Sequence, residues 1–109
     1  MDDEPEFRIG ICAAGNTLIP CLQTIVAKGY TVKHYFLNDT PGEWENPQWD
    51  AEKDGCFFSA TSPDALLGLI AMWEVRGDDW SIKPGESELL DRLIDSAVMY
   101  DSEGNVIDQ

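Results

Sequence analysis

Residues 7–37, FRIGICAAGNTLIPCLQTIVAKGYTVKHYFL, decide how the chain reads as a fold. Phe7 to Cys12 has strand character, with Ile9 and Ile11 sharing one face and Phe7 leading in. Ala13, Ala14, Gly15 and Asn16 make a tight turn. Asn16 or Thr17 is placed to cap a helix whose first turn holds Pro20, where a missing N–H does little harm. Leu18, Ile19, Leu22, Ile25 and Val26 recur at helical spacing, and Gly29 is placed to stop the helix. Tyr30 to Leu37 is rich in β-branched and aromatic residues and predicts a second strand. Tyr30, Val32, His34 and Phe36 alternate with Thr31, Lys33, Tyr35 and Leu37. Strand, helix and strand within this span predict a βαβ unit with parallel strands and a right-handed crossover.

Outward from this stretch, residues 38–54 change character. A turn cluster, Asn38 to Gly42, leads into an acidic loop that carries Trp44 and Trp49. Gly55 to Ala60 predicts a short third strand. Ser62, Pro63 and Asp64 form a helix start: a capping hydroxyl, a proline at the first helical position and an acid near the positive end of the dipole. That helix runs to Arg76 with Gly77 as its stop, and its apolar residues cover nearly the whole circumference. A connector, Asp78 to Gly85, precedes a third helix from Glu86 to about Met99 with one apolar stripe. Tyr100 to Ile107 reads either as a hairpin tip with one added strand or as a frayed end. The expected fold is α/β, with α+β as the variant. It is a small sandwich of three or four strands and three helices, in the order β-α-β-loop-β-α-α with a possible C-terminal strand. Residues 1–6 form an acidic tail and residues 7–109 a single domain.

The charge is uneven. The chain has 109 residues with 21 Asp and Glu against 7 Lys and Arg, a net charge of -14. Residues 8–38 contain Arg8, Lys28 and Lys33 and no acid. The tail before them and the long stretch after them hold every Asp and Glu. Such a surface repels nucleic-acid phosphates and anionic membrane and speeds encounter with a basic partner. The longest apolar stretch, Ala65 to Trp73, is too short to span a bilayer. The N-terminus has neither the basic start nor the apolar stretch of a signal peptide. Cys12, Cys21 and Cys56 lie in apolar surroundings and predict buried, reduced thiols in a cytoplasmic protein.

Few motifs carry chemistry. Gly10 to Thr17 has phosphate-loop spacing, with Asn16 where the phosphate-holding lysine belongs. Ile11 to Thr17 also resembles the phosphocysteine loop of the IIB subunits of the sugar phosphotransferase system. The resemblance covers residues 7–29. It implies a phosphoryl group on Cys12, with Gly15, Asn16 and Thr17 as its anion cradle, and the physics is sound because a helix N-terminus lowers a thiol pKa. The later elements depart from that family's repeated strand-helix order. Read from its surroundings alone, Cys12 is a packing residue. His34 reads as packing too. Asp101, Glu103 and Asn105 alternate as calcium ligands do, but Gly104 is misplaced and the distal glutamate is absent, so no metal is expected.

Trp44, Trp49 and Trp80 sit among acids, whereas Trp73 belongs to a core. Aromatic anchors ringed by charge describe a binding surface. The expected function is a non-catalytic acidic protein-binding domain, of the inhibitor or immunity-protein kind, that neutralises a basic partner. Its contacts are Glu43, Trp44, Glu45, Trp49, Asp50, Asp78, Asp79 and Trp80, with no cofactor. One alternative is a phosphocarrier or thiol enzyme built on Cys12. The other is a structural module that dimerises through the helix at residues 63–76.

Overall fold

The computed structural model describes residues 6–107. The chain divides into two compact units, one up to Asp78 and one from Asp79 onward. The first contains α1 (Leu18–Ala27), β1 (Thr31–Phe36), β2 (Pro47–Lys53), β3 (Cys56–Ala60) and α2 (Pro63–Arg76). The second contains α3 (Ser87–Asp95) and a small hairpin. Three helices and a three-stranded sheet make this a mixed α/β chain, as the sequence predicts.

The sheet has the order β1-β2-β3 and is antiparallel throughout. The parallel βαβ unit is therefore corrected. Phe7 to Cys12 is not part of the sheet, and its place as a strand is taken by residues 47–53 from the expected acidic loop. The reason lies in pattern and turn chemistry. Residues 47–53 are poor in strand formers, yet Pro47, Trp49 and Ala51 alternate with Gln48, Asp50 and Glu52. Asp54 and Gly55 then close the β2–β3 hairpin with φ of 50° and 81°. Two successive left-handed residues make a type I′ turn, whose twist matches that of the strands. Pro47 is tolerated because Trp49 already pairs with Ala60, the last residue of β3, so no ladder bond is lost where its N–H is missing.

Helix α1 ends in a Schellman motif. Gly29, at φ 95°, donates to the Val26 carbonyl, and Tyr30 donates back to Ile25. The same turn puts Ile25 and Tyr30 together in the core and aims the chain into β1. Helix α2 begins as its sequence demands: the Ser62 hydroxyl accepts from the Ala65 N–H at 3.4 Å, and Pro63 stands in the first turn. Its other end stops at Gly77, φ 78°. Ile25, Tyr30, Ala51, Leu66 and Ile70 form the buried core, flanked by Val32, Trp49, Phe58, Ala60 and Leu67. Those sheet residues all belong to one face, so α1 and α2 cover that face and the other carries Lys33, Tyr35, Asp50, Phe57 and Ser59. Trp73 is half-buried beside Phe58, ring centroids 5.8 Å apart.

The second unit is smaller. Helix α3 stops at Asp95, short of the expected Met99, as Ser96 and Ala97 donate back to Arg92 and Ile94. Tyr100 bridges Val106 and Ile107 donates to Met99, so the tail is a hairpin tip rather than a strand of the sheet. Asp101 Oδ1 accepts from the Glu103 and Asn105 N–H groups at 2.9 Å each, which closes the tip. The Asp101 carboxylate is thus engaged by its own turn.

Candidate functional site

The loop between β1 and β2 is tied at its base. Leu37 donates to the Asn46 carbonyl at 3.1 Å, and Asn46 Nδ2 returns a bond to the Leu37 carbonyl at 3.2 Å. Asn46 takes φ 53°, a left-handed conformation that Asn accepts more readily than most residues. Asn38 Nδ2 reaches across to the Glu43 carbonyl. These bonds restrain a short acidic loop whose tip presents Glu43, Trp44 and Glu45, all exposed. Trp44 keeps 76% of its surface open to solvent.

Behind Trp44 runs an aromatic ladder. Trp44 meets Phe36 edge-on, centroids 5.3 Å apart. Phe36 meets His34 at 4.9 Å, and His34 stacks on Trp49 at 3.8 Å with an interplanar angle of 15°. The register explains it. His34 lies opposite Trp49 and Phe36 opposite Pro47, on the helix-facing side of the sheet. His34 Nδ1 lies 2.9 Å from the Gln48 carbonyl, which can only accept, so Nδ1 carries the proton. His34, itself exposed, thus braces the ladder between Phe36 and Trp49. Beside Trp49, Leu18, Ile19, Leu22 and Pro63 line an apolar groove of about 230 Å3.

The eight predicted contact residues separate. Trp49 and Asp50 are neighbours in β2, so they point to opposite faces. Trp49 is half-buried against the core, whereas Asp50 is 8% exposed. Asp50 Oδ1 accepts from Ser59 Oγ at 2.6 Å and from the Tyr35 hydroxyl at 3.2 Å. This bond holds the Tyr35 hydroxyl above its ordinary pKa. Asp50 thus fastens the three strands together. Asp78, the last residue of the first unit, accepts from the Trp73 indole N–H at 3.0 Å. In the second unit Asp79 pairs with Lys83 at 3.7 Å, and Trp80 is half-exposed.

Cys12 is exposed and Cys21 and Cys56 are half-buried, so the expectation of buried thiols is corrected. Cys12 belongs to a segment that, among the described residues, joins no sheet. The expected strand-turn-helix loop is also absent. Gly15, Asn16 and Thr17 form one 3-10 turn, and the Thr17 hydroxyl donates to the Ala14 carbonyl at 2.7 Å while accepting from the Ala14 N–H. Thr17 thus serves its own turn. On helix α2 Leu66 and Ile70 are fully buried in the chain's own core, whereas Val75 is 88% exposed. Among the described residues no cluster of His, Cys, Asp and Glu could hold a metal, and no helix is long and apolar enough to cross a membrane.

The chain matches no protein-family model, no curated protein and no solved structure. What the geometry adds to the sequence is His34 and Phe36 as supports for Trp44, and Tyr35 and Ser59 as partners of Asp50. The period-two alternation of residues 47–53, followed by Asp54-Gly55, was the signal that could have placed them.

Proposed function

We propose that this chain is a non-catalytic, acidic protein-binding domain that grips a basic partner with the Trp44 loop, as inhibitors and immunity-type proteins do. One observation carries the reading: Trp44 is 76% exposed, yet braced from behind by Phe36 and flanked by Glu43 and Glu45. Leaving an indole in water forgoes about 1.5–3 kcal/mol of burial, which a partner can recover. The bracing lowers the entropy cost of binding, because the ring is already placed. Acids beside it steer a cationic partner and reject an anionic one. Asp78, Asp79 and Trp80 offer a further acidic and aromatic stretch, although Asp78 and Asp79 already hold Trp73 and Lys83. Three cysteines without a disulfide suit a reducing, cytoplasmic setting.

The test is a titration of the full chain with a lysine-rich peptide and with a set of basic proteins, followed by indole fluorescence and amide shifts. Binding should perturb Trp44 with Glu43 and Glu45. It should weaken about tenfold on Trp44→Ala and on Glu43→Lys, and fall steeply as salt shortens the screening length. Binding indifferent to salt and to both substitutions would sink the reading.

A further inference from the structure

The sheet leaves two edges open, and the chain carries a segment of strand-like sequence that joins no sheet among the described residues. Phe7 to Cys12 alternates apolar and other residues as a strand does, yet Phe7, Ile9 and Ile11 are 80%, 60% and 78% exposed. None of its backbone groups bonds to another described backbone segment. At the edge of the sheet, β1 pairs only with β2. The register says which β1 groups are unused. A two-residue turn makes Lys53 and Cys56 a hydrogen-bonded pair, so Ala51 and Trp49 also bond toward β3, and Gln48, Asp50 and Glu52 bond toward β1. Thr31, Lys33 and Tyr35 therefore point their N–H and carbonyl groups inward. Val32, His34 and Phe36 point theirs away from the sheet. Leu37, bonding inward to Asn46, continues the same parity.

We propose that Phe7–Cys12 of one copy adds as a parallel strand to the open β1 edge of a second copy, and that the exchange is reciprocal. The charges favour a second copy as occupant at this place. Residues 7–38 are the longest stretch without an acid, and they contain both the unpaired segment and the β1 edge. Two chains of net charge -14 meet there with the least repulsion. The charges also set the direction. At the C-terminal end of β1 the loop carries Asp39, Glu43 and Glu45 and no cation. At its N-terminal end Lys28, Lys33 and Lys53 offset Glu52, Asp54 and Glu74. Glu6, just before Phe7, is repelled by the first end and tolerated at the second, and only a parallel strand puts it there. The two segments match in length at six residues each. Added this way, Phe7, Ile9 and Ile11 can share the face of Val32 and Phe36, so the apolar surface left open by one chain is covered by the other.

Light scattering of the full chain over micromolar concentrations, with hydrogen exchange of the residue 7–12 amides, tests this. A concentration-dependent dimer with protected amides is expected. Gly10→Pro combined with Cys12→Pro removes two donors that face β1 in this parallel register, from a segment on which the rest of the fold does not depend. It should weaken the dimer by about tenfold or more, with an unchanged circular dichroism spectrum. A monomer at every concentration with unprotected amides would overturn the proposal. So would a monomer with protected amides, which would mean that the strand docks on its own chain. A dimer indifferent to the two prolines would place the interface elsewhere and overturn it as well.

Discussion

Helices α2 and α3 each carry three leucines and one isoleucine, and the two sets meet different fates. In α2, Leu66 and Ile70 are fully buried and Leu67 and Leu69 partly so. In α3, Leu89, Leu90, Leu93 and Ile94 remain 56–62% exposed. The number of leucines and isoleucines does not separate them. Helix α2 follows directly from β3 and lies on a sheet face whose Ala51, Phe58 and Ala60 offer a surface to cover, with α1 closing the other side. Helix α3 belongs to a unit that brings no sheet of its own, and not one described residue of 79–107 is buried. Burial is thus decided by the opposing surface that the topology supplies, and the two units should differ in what holds them together.

The largest effect should come from testing that difference directly. Ile70→Ala should cost about 2–5 kcal/mol, because it opens a cavity where packing is complete. Leu90→Ala, chemically the same kind of truncation, should cost about 0.5 kcal/mol, as surface substitutions do. Urea denaturation followed by tryptophan fluorescence reads both. An equal cost for the two would show that the α3 stripe is covered in solution, and the contrast would fail.

A smaller effect compares two glycines. Gly55 closes the β2–β3 hairpin at φ 81°, and Gly104 closes the tip at φ 88°. Alanine at either position carries a left-handed strain of about 1–2 kcal/mol. At Gly55 the loss should appear in the main unfolding transition, because β2 is the central strand and supplies Ala51 to the core. At Gly104 it should appear only as faster hydrogen exchange at Asn105 and Ile107, with the main transition in place. A shift of the main transition by Gly104→Ala would join the two units into one cooperative structure.

How much of this was legible in the sequence follows the same division. Local chemistry was plain: Ser62-Pro63 starts α2, Gly29 and Gly77 stop their helices, and Leu89 to Ile94 form an amphipathic stripe. These features act over a few residues and need no partner. Sheet membership was not plain, because a strand exists only with a neighbour. Phe7–Cys12 has the better strand residues and stays out of the sheet; residues 47–53 have poor ones and lie at its centre. Composition hid them, since Asp50 and Glu52 read as solvated loop when the alternation sets them on one face and Trp49 and Ala51 on the other. For the candidate site, Trp44 and its flanking acids were visible as residues. The Phe36, His34 and Trp49 ladder behind them depended on a register that only β2 could supply.

The smallest effects are those of pH, and they separate the units by direction. In the tip, hydrogen bonding, chiefly from the Asn105 backbone N–H, holds the Asp101 carboxyl below its ordinary value near 3.8. A depressed carboxyl stabilises the folded form at pH above that ordinary value, and the contribution is lost as pH falls through the depressed one. Acid should therefore loosen the tip, seen as loss of exchange protection at Glu103 and Asn105. Asp64 behaves likewise at the start of α2, chiefly through the Ser62 hydroxyl. There the loss should stay small, because Ser62 still accepts from the Ala65 N–H when Asp64 is protonated. Alkali acts on the first unit instead. Burial, aided by nearby Glu74, raises the Tyr30 hydroxyl above 10.0. A raised tyrosine leaves stability intact below its ordinary pKa and erodes it as pH climbs toward the raised value. The main transition should thus weaken above about pH 10, with Tyr30→Phe removing part of that slope. A wild-type slope left unchanged by Tyr30→Phe would mean that the Tyr30 hydroxyl reaches water freely, and the core would then be more open at Ile25 than its burial indicates.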